Sequence, residues 1–273
     1  MTFIKYMAIV LGVVVLMAGC NNSVNNKENG SGQSNGKELT VYAAAHLTEA
    51  FNEMEQAFEK QTGIHTKVSY AGTQILRTQI EQGAPADVFA SANLSHMKAI
   101  EKQGFTDEYK TFAYNTMALI VPKSNPAGIQ RLKDLKDKNL RLVIGVDNVP
   151  VGIYARQVLD KANQAYGSDF KKEVLSEVVS LETDVKKVVG KVTMGEADAG
   201  FVYVTDLTKE VRKKVKTIDI SKKLNVRATD TIAVINNGDH PQSAQKWIDF
   251  VHSDQGQNIL EDHNLIKATE VKK

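Results

Sequence analysis

Residues 39–63, LTVYAAAHLTEAFNEMEQAFEKQTG, carry the pattern on which the fold prediction rests. The first five residues form a short apolar run that is typical of a buried strand, whereas apolar residues recur at helical spacing from Leu47 to Phe58. Gly63 then ends the helix, as glycine commonly does. The stretch predicts a strand followed by a helix, joined by the short loop Ala43–His46.

The same unit recurs along the chain. Further strands are predicted at 64–70, 87–91, 117–121, 140–146, 199–204 and 231–235. Helices are predicted at 74–82, 94–103, 153–165, 185–192 and near the C-terminus. Strands that alternate with helices pair in parallel, with helices on both faces of the sheet. About 235 residues follow Glu38, and a chain of this size usually divides into two lobes. The sequence therefore predicts an α/β protein with two mostly parallel sheets.

The N-terminus reads as an export signal followed by an anchor. In residues 1–19, Lys5 precedes an apolar run that is too short to cross a bilayer. The run ends in Met17-Ala18-Gly19-Cys20, which resembles the lipobox of bacterial lipoproteins, although Met17 stands where that motif usually has leucine. The resemblance implies lipid attachment at Cys20. Residues 20–37 are polar and predict a flexible tether, so we expect an extracytoplasmic protein anchored to the cell membrane.

Composition and motifs exclude several functions. The chain has 34 basic and 32 acidic residues without a long basic run, so no nucleic-acid partner is predicted. It contains no nucleophile elbow, phosphate loop or zinc-protease motif, so no catalytic residue is predicted. Five histidines lack the spacing of metal ligands and are expected on the surface: His65, His96, His240, His252 and His263.

Three loops carry small or hydroxyl-bearing residues where a strand leads into a helix. They are Ala43–His46, Tyr70–Thr73 and Asn148–Gly152, and Thr183 or Asp184 can cap the helix at 185–192. The first N–H groups of a helix have no partner inside it, and the helix dipole favours negative charge there. Several such ends around one point could hold an oxyanion without lysine or arginine.

Five ordered motifs resemble the molybdate-binding proteins that serve ABC importers. They are Val41–Phe51, Ser69–Thr73, Gly83–Ser91, Val149–Ala155, and Asp184-Val185 followed by Gly200–Tyr203. The resemblance implies the two-lobed periplasmic-binding-protein fold of the second type. It places one lobe at 38–115 plus 229–273 and the other at 116–228. Two crossing segments are expected near 114–116 and 227–229.

The resemblance also implies the site. Backbone N–H groups near His46, Thr73, Val151 and Val185 would bind the oxyanion, together with the hydroxyls of Thr73 and Tyr203. No cofactor is implied, only molybdate or tungstate as the ligand. The sequence does not distinguish these two, because both are tetrahedral dianions of similar size. The partners implied are the anion and the transmembrane subunits of an ABC permease, and we expect the protein to be a monomer.

His46 departs from the family pattern, which usually has serine there. Our hypothesis is that its ring donates to the anion and that affinity rises as the pH falls toward 6. The alternative is that the ring turns outward and only the backbone binds. Histidine at this loop also occurs in ferric-ion-binding proteins of the same fold, but these use two neighbouring tyrosines, whereas Phe201-Val202-Tyr203 supplies one.

Overall fold

The computed structural model describes residues 38–136 and 139–271. Its strands are β1 Leu39–Ala44, β2 Thr66–Ala71, β3 Val88–Ser91, β4 Lys110–Pro122, β5 Leu142–Gly145, β6 Val178–Glu182, β7 Ala199–Tyr203, β8 Val215–Ile218, β9 Arg227–Val234 and β10 Ile266–Lys267. Its helices are α1 Thr48–Thr62, α2 Thr73–Glu81, α3 Leu94–Lys102, α4 Pro150–Tyr166, α5 Phe170–Ser176, α6 Val185–Thr193, α7 Lys209–Lys214, α8 Pro241–His252 and α9 Asp254–Asp262. The predicted signal, Cys20 and tether lie outside the described residues.

The strands form two sheets that share one long strand. The first sheet has the order β2-β1-β3-β9-β4, with β10 on the far side of β4. The second has the order β4-β7-β5-β6, with β8 on the other side of β4. Strand β4 pairs with β9 as far as Thr116 and with β7 from Met117 onward. The chain thus passes from one sheet to the other within β4, and the exact lobe boundaries remain a prediction.

The predicted α/β class is confirmed, and the sheets are mixed. Strand β1 pairs in parallel with β2 and β3, and β5 pairs in parallel with β6 and β7. Strands β4 and β9 add antiparallel pairs. The carboxyl ends of parallel strands lead into helices at one edge of a sheet. The loops after β1 and β2 therefore lie at one edge of the first sheet, and the loop after β5 lies at the corresponding edge of the second.

Separate apolar clusters pack against the two sheets. In the first, α8 returns to α1: Trp247 makes edge contacts with Phe51 and Phe58 at ring-centroid distances of 5.6 and 5.2 Å. In the second, α4 and α6 bury Val158 and Val188 against the sheet. Each sheet is therefore packed against buried apolar side chains, which fix the positions of the loops at its edge.

Some element boundaries differ from the sequence prediction. Helix α4 begins at Pro150 rather than 153, because proline at the first helical turn lacks only an N–H that would be unbonded anyway. Strand β6 was not predicted; it is an edge strand on which the apolar Val179 and Leu181 are 60% and 50% exposed. Among the described residues, no helix combines the length and apolar character that a membrane span requires.

Candidate functional site

All five predicted site residues line one small cavity, here called the interloop cavity. It is bounded by 44–46, 71–73, Ala92, 149–151, Asp184, Val185 and Tyr203, and thus includes His46, Thr73 and Val151. The cavity has a volume of about 20 Å³. A single water needs roughly 10–15 Å³ on the same measure, so the space is large enough for a small group. Within the described part of the chain, no lysine or arginine lines it.

Three helices begin at the interloop cavity. Helices α2 and α4 start at Thr73 and Pro150, and in the described residues neither has a side-chain cap. Helix α6 starts at Val185, and the Asp184 carboxylate accepts from Lys187 N at 3.0 Å, which confirms the predicted cap. The uncapped helix starts leave backbone N–H groups available to an acceptor in the cavity.

Two buried hydroxyls add donors. Thr73 Oγ1 accepts from Ala92 N at 3.2 Å, so its own proton is free to donate elsewhere. Thr73 is the first residue of α2 rather than its cap. The Tyr203 hydroxyl is buried and has no hydrogen-bond partner among the described residues. Burial also holds the pKa of Tyr203 well above its usual value, so this hydroxyl keeps its proton and remains a donor.

Two glycines allow the close approach of the loops. A Cβ atom on Gly72 would lie 2.2 Å from the carbonyl oxygen of Thr183, and one on Gly152 would lie 2.2 Å from that of Val146. No heavy-atom contact of that length is tolerated, so a side chain at either position would push the loops apart. Glycine is therefore required by packing at both helix starts.

The imidazole of His46 is buried beside a carboxylate. His46 is 3% exposed, and its Nε2 lies 3.2 Å from Oδ1 of Asp230, which is fully buried on β9. The two atoms are close but not aligned as a hydrogen bond. The ring also packs against that of Tyr203 at a centroid distance of 4.9 Å. The ring is thus not turned outward, and it lies between the cavity and a buried acid.

A second group of charges lies next to this pair. Lys186 Nζ on α6 lies 2.8 Å from Glu49 on α1 and 3.4 Å from the buried Asp206. Burial raises the pKa of Asp206, although the charge of Lys186 opposes the effect. Burial alone would lower the pKa of Lys186, but the charges of Asp206 and Glu49 outweigh it and raise this pKa. Lys186 is therefore held by carboxylates.

Further polar contacts join the same loops across the two sheets. Gln74 Nε2 donates to the Thr183 carbonyl at 2.7 Å, and His96 Nε2 lies 2.8 Å from the Asn148 carbonyl, to which it donates. The expectation that His96 lies on the surface is wrong, because this contact leaves it only 5% exposed. Burial lowers the pKa of His96, which favours the neutral ring.

Asp230 was not predicted from the sequence to lie near the site. A signal for it exists: Ala228, Asp230 and Ile232 alternate along β9 and are all fully buried. A charged residue on the apolar face of a strand needs a partner, and this conflict could have been noticed in the sequence. Its partner His46 could not have been deduced, because the two residues are distant in the chain.

The geometry can be compared with known proteins. A sequence profile described as "Bacterial extracellular solute-binding protein" matches residues 39–264. The molybdate-binding protein ModA of Mycobacterium bovis is 32% identical over 93% of this chain and 94% of its own length. ModA of Escherichia coli is 28% identical over 82% of this chain and 86% of its own length.

A solved structure shows the same architecture. The periplasmic molybdate-binding protein of Azotobacter vinelandii superposes with a TM-score of 0.72 at 20% identity, over 84% of this chain and 98% of that protein. At that identity the likeness establishes the fold alone. The profile match and the 32% identity with ModA of Mycobacterium bovis show that the chain is a member of the family of bacterial extracellular solute-binding proteins, which are not enzymes.

Proposed function

We propose that the protein captures molybdate or tungstate in the interloop cavity and delivers it to an ABC permease. The observation that carries this proposal is the composition of the cavity: helix N-termini and two buried hydroxyls, with no lysine or arginine lining it in the described chain. A fully ionised tetrahedral dianion offers only acceptors, so a set of donors matches it. Each hydrogen bond to a charged group contributes roughly 1.5–3 kcal/mol.

The same composition supports selectivity against phosphate. Protonated phosphate carries an O–H group, which would face another donor in the cavity and leave a buried polar pair unsatisfied. Similarity to the molybdate-binding proteins of M. bovis and E. coli further supports molybdate as the ligand. We infer that Cys20 carries a lipid that tethers the protein at the outer face of the cell membrane, close to the permease.

Ferric ion remains the alternative ligand. His46, Tyr203 and Asp230 lie together, but no group of three or more histidine, cysteine, aspartate or glutamate side chains suited to a metal ion occurs among the described residues. The donor-rich helix starts favour an anion over a cation, since their dipoles repel positive charge.

Calorimetric titration with molybdate, tungstate, sulfate, phosphate and ferric ion tests the proposal. We expect tight one-to-one binding of molybdate and tungstate and much weaker binding of phosphate. A response to ferric ion alone would establish the alternative. Binding led by sulfate would mean that the cavity selects a smaller anion.

A further inference from the structure

Asp230 has His46 as its neighbouring ionisable partner inside the protein. Both residues are buried, and the Asp230 carboxylate oxygens have no aligned hydrogen-bond donor among the described residues. The Nε2 of His46 is 3.2 Å from one of these oxygens. A buried carboxylate is costly unless a partner compensates its charge, and a proton on Nε2 would face this oxygen.

The protonation of the other ring nitrogen, Nδ1, then determines whether His46 donates to the ligand. Because Nε2 lies 3.2 Å from Asp230, Nδ1 is the ring nitrogen that remains for the interloop cavity, which His46 lines. If the ring were neutral with its proton on Nε2, Nδ1 would be an acceptor. The oxygens of the dianion, which only accept hydrogen bonds, would then face the lone pair of Nδ1 and be repelled by it. A ring that carries both protons donates to the anion and to Asp230 at once.

The surrounding charges also favour an added proton. Each packed element contributes: Asp230 from β9, Asp206 after β7, Lys186 from α6 and Glu49 from α1. With all three carboxyls ionised and one lysine charged, the group carries −3 + 1 = −2 when His46 is neutral. A dianion entering beside this group is repelled, and a proton on His46 reduces the repulsion.

The tyrosines near the pair do not supply this charge. Tyr203 packs on the His46 ring, and Tyr154 lies 6.3 Å from Tyr203 between ring centroids. Burial raises the pKa of Tyr154 to about 12 and holds that of Tyr203 well above its usual value, so both stay neutral. The charge beside the bound anion therefore depends on His46, the carboxyls and Lys186.

We propose that Asp230 is a positioning residue that makes capture of the oxyanion proton-coupled: the site takes up one proton, on His46, with each dianion it binds. This inference rests on the proposed function. It means that the species recognised is a dianion together with a proton, so that binding tightens as the pH falls, by at most tenfold for each pH unit.

Calorimetry of the wild-type protein with molybdate at pH 7.5, in two buffers of different ionisation enthalpy, measures the protons exchanged. We expect net proton uptake on binding, of up to one proton per anion bound. Tight binding with no proton uptake would overturn the inference and leave the proposed function intact. Absence of molybdate binding would overturn both.

Three variants locate the proton. We expect His46→Gln and Asp230→Asn to bind molybdate without proton uptake, because glutamine does not titrate and asparagine no longer requires a proton on Nε2. Asp249→Asn, on the exposed part of α8, removes a carboxylate elsewhere and should keep the uptake. Uptake that persists in His46→Gln would place the proton on another group, such as Asp206, and would refute the assignment. Thermal unfolding checks that each variant is folded.

Discussion

Replacing Tyr203 with phenylalanine separates binding from stability. Tyr203 lines the interloop cavity, and its hydroxyl is buried and has no hydrogen-bond partner among the described residues. Its removal therefore breaks no observed hydrogen bond in the free protein. It does remove a donor to the bound anion, which contributes roughly 1.5–3 kcal/mol. Since about 1.4 kcal/mol corresponds to a tenfold change, we expect Tyr203→Phe to weaken molybdate binding about 10- to 150-fold.

The assay is titration calorimetry for the dissociation constant, combined with denaturant unfolding of the free protein. The free energy of unfolding should not fall in Tyr203→Phe. Tyr166→Phe is the control, because that ring packs on Phe170 at 5.1 Å and does not line the cavity. Wild-type affinity in Tyr203→Phe would refute the reasoning, since the hydroxyl would then not contact the ligand.

Four other changes test the packing, the pH response and a buried carboxylate. Gly72→Ala brings a Cβ atom within 2.2 Å of the Thr183 carbonyl oxygen and should cost about 1–3 kcal/mol in molybdate binding by calorimetry. Gly190→Ala, in α6 with no atom within 4 Å of the new Cβ, should instead raise unfolding stability by about 0.5–1 kcal/mol. In the folded protein the pKa of His96 lies below the usual 6.5. The neutral ring therefore contributes its full stability above pH 6.5, and this contribution is lost as the pH falls through the pKa of the folded state. The decline in stability between pH 7 and 5 should be shallower in His96→Gln, and an unchanged slope would contradict this. The Asp87 carboxylate accepts hydrogen bonds from Thr40 N and His240 N, each at 2.8 Å. Asp87→Ala should therefore lower the free energy of unfolding, measured in urea, by roughly 2–4 kcal/mol. A loss below about 1 kcal/mol would refute this structural role of Asp87.

Local patterns predicted most of the architecture. The strand and helix in residues 39–63 are confirmed as β1 and α1, and Gly63 adopts a φ of +68° at the helix end. The motif residues at the helix starts do meet at one cavity, because parallel strands place their following loops at one edge. These features depend on residues close together in the chain, so a sequence pattern can reveal them.

The electrostatic surroundings of the cavity could not be predicted in the same way. The contact of His46 with Asp230, and that of Glu49 with Lys186, join residues far apart in the sequence. They arise from antiparallel pairing of β3 with β9 and from the meeting of α1 with α6. Neither follows from periodicity. His96 was misjudged for the same reason, since its partner Asn148 lies in a distant loop.

A crystal structure with tungstate bound tests the central claim most directly, because the anomalous signal of tungsten locates the anion independently of the protein atoms. We expect one strong peak in the interloop cavity, with the anion oxygens within hydrogen-bond distance of Thr73, Val151 and Tyr203. A peak at another position, or an anion held by a lysine or arginine side chain, would contradict the account.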